Sequence, residues 1–147
     1  MIKNYLSVSF LAIGMSALPM LAHADLLLTN NTALDATAMV NDKDCSVRLL
    51  GELGITHKNG GQSYLSDMAL RIACHDTKDN CKADLYMSID CNYSGAPKVA
   101  TVYYSINTGL KSITILSDDY QIVGDSHALT LNGGPKSLFD RYTKWFF

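Results

Sequence analysis

Beyond the first 24 residues the chain has three histidines, His57, His75 and His127, and these are where acid–base or metal chemistry would start. His127 has neighbours that suit a hydrolytic triad. In Gly124-Asp125-Ser126-His127 an acid, a hydroxyl and an imidazole stand in a row. A hydrolase needs such groups to converge on one point, whereas neighbours along a strand point to opposite faces. Ser126 and His127 therefore read as a polar turn entering a strand. The chain carries no G-x-S-x-G, P-loop, H-E-x-x-H or dinucleotide fingerprint. No catalytic residue is assigned, and no metal or cofactor is implied.

Binding chemistry has better candidates. The run His75-Asp76-Thr77-Lys78-Asp79-Asn80 offers an imidazole and several oxygens, with His75, Asp76 and Asp79 the groups of interest. It lacks the D-x-[DN]-x-[DN]-G spacing of an EF-hand loop, as does Asn41-Asp42-Lys43-Asp44. Tyr86 and Tyr103 fall at alternate, solvent-facing positions of two expected strands. Tyrosines on a rigid sheet bring large contact area at small entropy cost, which suits a sugar ring or a protein partner. Near the C-terminus, Leu138, Phe139, Tyr142, Trp145 and Phe146 repeat at the spacing of one helix face. That aromatic stripe would pack back on the domain, dock on a partner or lie on a membrane surface, with Trp145 as its anchor. Its final residues also partly match the aromatic ending of outer-membrane barrels, but Thr143 and Arg141 break the alternation.

The elements that must hold these residues follow a period of two. Ala83, Leu85, Met87, Ile89 and Cys91 alternate with Asp84, Tyr86, Ser88 and Asp90, which reads as one long strand with a wet face. Met68, Leu70, Ile72 and Cys74 alternate with Ala69, Arg71 and Ala73. The two runs read as an antiparallel pair closed by residues 75–80. Ala100, Val102, Tyr104 and Ile106 form the next strand, and Asn107-Thr108-Gly109 turns into Ile113 and Ile115. Ser117-Asp118-Asp119 makes another turn, then Tyr120–Val123 and His127–Leu131 follow as two short strands or as one bulged strand with Gly124 at the bulge. Leu26–Thr29, Leu34–Val40 and Val47–Leu50 are shorter strand candidates. Closely spaced strands with turn residues between them predict an all-β fold, an antiparallel β-sandwich or small barrel. A short C-terminal helix follows it.

All four cysteines, Cys45, Cys74, Cys81 and Cys91, lie in this body. None of their spacings suits a zinc site, and an even count in an exported chain predicts two disulfides. A straight strand separates Cys81 from Cys91 by roughly 30 Å, far beyond the roughly 7 Å a disulfide spans. Cys74 should sit at the Cys81 end, so the pairing expected is Cys74–Cys81 with Cys45–Cys91.

Export is read from the start of the chain. Lys3 precedes the apolar run Leu6 to Met15, and the segment ends Ala22-His23-Ala24, the small-x-small form that signal peptidase cleaves. The domain plan is therefore a signal peptide over 1–24, a β-sandwich over 25–134 and an aromatic amphipathic tail over 135–147. An uncleaved N-terminal anchor is the competing reading. The chain has 12 Lys and Arg against 14 Asp and Glu, a balance that argues against a nucleic-acid surface. Asn30-Asn31-Thr32 and Asn92-Tyr93-Ser94 match the glycosylation sequon, but the leader is of bacterial type and gives them no use.

The leader, the strand Leu27-Leu28-Thr29-Asn30-Asn31-Thr32, the pair Cys45-Ser46 and the Cys74/Cys81/Cys91 group together resemble small disulfide-bonded exported proteins of Gram-negative bacteria, of the kind released by type II secretion. The resemblance runs from about Leu26 to Leu131 and leaves the tail outside it. It implies a periplasmic or extracellular location and carries no catalytic residues across. The functional expectation is a non-enzymatic binding module for a protein or glycan. A small secreted hydrolase and a membrane-surface protein using the tail are the alternatives.

Overall fold

The computed structural model describes residues 25–75, 77–90 and 95–135. The expected signal peptide, Asp76, Cys91 and the tail from 136 onward, including Trp145, lie outside the described residues.

Among the described residues, nine strands and two short helices run in the order β1 (Leu26–Asn30), β2 (Thr37–Val40), β3 (Asp44–Cys45), α1 (Ser46–Leu50), β4 (Gly61–Leu65), α2 (Asp67–Ala73), β5 (Cys81–Tyr86), β6 (Lys98–Ser105), β7 (Gly109–Ile115), β8 (Tyr120–Gly124) and β9 (Ala128–Gly133). A 3-10 turn, Gly51–Gly54, follows α1. The strands form two sheets, β4-β1-β9-β8 and β3-β2-β5-β6-β7. Apolar side chains from both sheets, among them Leu26, Leu129, Val40 and Val102, join in one core, which gives the molecule a sandwich-like form. The pairing is antiparallel except between β1 and β9, which run parallel with Leu28 beside Leu129. The chain between them builds the whole five-stranded sheet together with β4 and β8 before β9 returns along β1 in the same direction.

Three strand expectations are corrected. Residues 68–74 are not a strand pairing with residue 83 onward. Asp67–Ala73 is the helix α2, and β5 pairs instead with β2 and β6. Ala69, Leu70 and Cys74 are buried while Met68 and Ile72 stand in solvent, at 72% and 49% exposure. The burial follows a helical period because Ala69 and Ala73 join the inner face, and alanine favours helix. Ser66 starts the helix by accepting the Ala69 N–H, and Asp67 holds Arg71 one turn on at 2.7 Å. Val47–Leu50 is likewise helical, within α1, and ends at Gly51 with φ +61°. The strand begun at Cys81 ends at Tyr86, not Cys91. There the register jumps from Leu85↔Ala100 to Tyr86↔Lys98, a bulge that bends the chain and leaves Ile89 54% exposed.

Other expectations hold. β6 and β7 join through the predicted turn, where Gly109 takes φ +82° and a Cβ would lie 2.5 Å from that of Ser126. Cys74 and Cys81 are bonded, with Cα atoms 5.4 Å apart. The bridge joins the end of a helix to a strand, not two strands. Cys45 is also disulfide-bonded; its expected partner, Cys91, lies outside the described residues.

Candidate functional site

Ala83, Leu85, Val102 and Tyr104 belong to the interior between the sheets, so the alternate residues of β5 and β6 occupy the outer face of the five-stranded sheet. The register sets Lys82 beside Tyr103, Asp84 beside Thr101 and Tyr86 beside Lys98. Tyr86 and Tyr103 thus share one face, as their sequence positions imply, and both are half-buried. Four residues of β5 separate their rows, or about 13 Å. Ser112 and Thr114 of β7 continue the same face.

At its centre the sequence-based picture fails in one respect. Asp84, at a position expected to be wet, is only 3% exposed. A buried carboxylate requires compensation, and Asp84 has three partners. Thr101 Oγ1 donates to Oδ1 at 2.6 Å, Lys98 Nζ stands 3.0 Å from Oδ1, and Lys82 Nζ stands 3.3 Å from Oδ2. Burial pushes the carboxyl up, but the Thr101 hydroxyl and the two ammonium groups outweigh it and hold Asp84 below the usual carboxylate range. Lys82 also bonds Asp42 at 2.7 Å; that hydrogen bond, with help from Asp84, raises the lysine above its ordinary value. Charge alternates across the face, with two tyrosine rings flanking a fixed carboxylate. Such a surface can stack on a sugar or side chain and offer N–H and O–H donors beside it. Parity in the sequence puts Lys82 with Asp84 and Thr101 with Tyr103, but Lys98 stands three residues before Thr101 and reaches this face only through the bulge at Leu85/Tyr86. The cluster becomes visible only when β5 and β6 are paired.

The loop candidates separate. His75 is exposed just past the end of α2. Asp79 accepts from Asn107 Nδ2 at 2.6 Å, and its carbonyl accepts from Lys111 Nζ at 3.0 Å. Asp79 thereby ties its loop to the β6–β7 turn and does not join the tyrosine face.

The histidines divide as well. Asp125 accepts from the N–H groups of His127 and Ala128, at 2.8 and 3.0 Å, so Asp125, Ser126 and His127 form the polar turn that was expected. His57, by contrast, lies between two acids. Its Nδ1 meets Asp35 at 3.2 Å and its Nε2 meets Glu52. Those two hydrogen bonds, Glu52 first, raise the imidazole above its ordinary value. The ring is half exposed, and the trio ties the 3-10 turn to the β1–β2 connection.

Comparisons with known proteins give a family and a fold. A family model described as the type II secretion system substrate NttC matches residues 1–136. The crystal structure of the Legionella pneumophila type II secretion system substrate NttC aligns with a TM-score of 0.58 at 21% identity, covering 76% of this chain and 98% of that one. That alignment is a likeness of fold. No curated protein matches the chain.

Proposed function

The chain belongs to the NttC family of type II secretion substrates, and from that premise we propose that it works outside the cell as a non-enzymatic binding module for a protein or glycan. Membership makes it an exported protein. The observation that carries the binding reading is the outer face of β5 and β6, where Tyr86 and Tyr103 flank the Asp84–Thr101–Lys82–Lys98 cluster. A face organised around a buried carboxylate with paired lysines meets a partner with less reorganisation, which lowers the entropic cost of binding. The donors left on Lys82 and Lys98 and the tyrosine rings give it both polar and stacking contacts.

The test is a pull-down and glycan-array screen of the oxidised mature protein beside Tyr103→Ala and Lys98→Ala. A retained partner or glycan whose binding falls at least tenfold in both variants supports the reading. Binding that both variants keep in full removes this face from the function.

A further inference from the structure

Core interiors normally pack to the density of organic crystals, but here the two sheets enclose a cavity of about 130 Å³. Its origin lies in residue size. Ala38 of β2, Ala73 of α2 and Ala83 of β5 border it, where larger side chains would fill the gap. Leucine and valine make up half of the remaining wall, joined by Ile122, Tyr104 and the bonded Cys74 and Cys81.

Two polar side chains at its border, Asn30 and Ser46, are already engaged. Asn30 Nδ2 donates to the carbonyls of Leu34 and Thr56 at 2.8 and 2.9 Å, and its Oδ1 accepts the Thr32 hydroxyl at 2.7 Å. The Ser46 hydroxyl donates to the Gly54 carbonyl at 2.6 Å and accepts the Ala38 N–H at 3.0 Å. Water in a cavity needs two to four polar partners, and these groups have little to spare. An apolar cavity of about 150 Å³ stays dry and holds benzene, so this one has room for about six carbons. Leu53 borders the cavity and is also 52% exposed. The side chain therefore stands at a mouth where the 3-10 turn meets solvent.

We propose that the cavity between the sheets binds the end of an unbranched alkyl chain, with about six carbons inside and the remainder passing out over Leu53. The site is separate from the tyrosine face and does not depend on it.

The experiment titrates the oxidised mature protein with straight-chain alkanoates of four to ten carbons while following alanine and leucine methyl signals by NMR. Saturable shifts at Ala38, Ala83 and Leu53 are expected. The dissociation constant should fall about fourfold per added methylene and level off near six carbons. Ala83→Leu, which fills the space, should weaken octanoate binding at least tenfold. If that variant does not fold, Ala38→Val from the neighbouring strand serves the same purpose. Shifts that never saturate, that ignore chain length, or that survive in a folded cavity-filling variant overturn the proposal.

Discussion

Asp84 shows how one residue is made to fit. Its carboxylate is held by one hydroxyl and two ammonium groups, and hydrogen bonds to a charged group are each worth about 1.5–3 kcal/mol. Asp84→Ala should therefore cost about 2–3 kcal/mol in urea unfolding, since Lys82 and Lys98 keep partial access to water and can turn outward. The carboxyl has a lowered folded pKa, so its contribution is present above the unfolded value near 4 and is lost as pH falls through the folded one. The wild type should lose stability in acid more steeply than Asp84→Ala. His57 has the opposite sign. Its folded pKa is raised by Glu52 and Asp35, so its contribution is complete below about pH 6.5 and is lost as pH rises through the folded value. Melting His57→Gln beside wild type should show a difference at pH 5.5 that shrinks by pH 8.5.

At the scale of elements, α2 deserves its own test because two periods compete within it. Its start depends on Ser66, which accepts the Ala69 N–H at 3.3 Å. Ser66→Ala should cost about 1 kcal/mol, whereas Met68→Ala, on the exposed side, should change stability by less than about 0.5 kcal/mol. A strand would reverse that order, since Met68 was assigned to its buried face. Alanine hid the helix from sequence reading. Ala69 and Ala73 counted as wet positions in a two-residue pattern, yet they pack inward with Leu70 and Cys74.

For the whole molecule, cross-links carry part of the stability. Cys74 and Cys81 close a short loop, for which the chain-entropy model gives about 2.5 kcal/mol. A Cys74→Ser/Cys81→Ser double variant should unfold at correspondingly lower denaturant. Cys45 is bonded as well, and non-reducing peptide mapping is expected to join it to Cys91. A peptide linking Cys45 to any other cysteine would overturn that pairing.

Much of the architecture was legible in the chain. Alternation gave β6, β7, the first part of β5 and the face shared by Tyr86 and Tyr103, because a strand's side chains must point to opposite sides, and turn residues marked off β8 and β9. Export, expected from the start of the chain and the cysteines, agrees with the family; the Cys74–Cys81 bridge forms as expected, although the strands from which it was argued, 68–74 and the run to Cys91, do not. Contacts between residues far apart in sequence decided the rest. The parallel β1–β9 pair, the partners that let Asp84 be buried, the meeting of His57 with Asp35 and Glu52, and the alanine-lined cavity all arise where separate segments meet. Each depends on a distance between segments remote in the sequence, and local periodicity contains no measure of that distance.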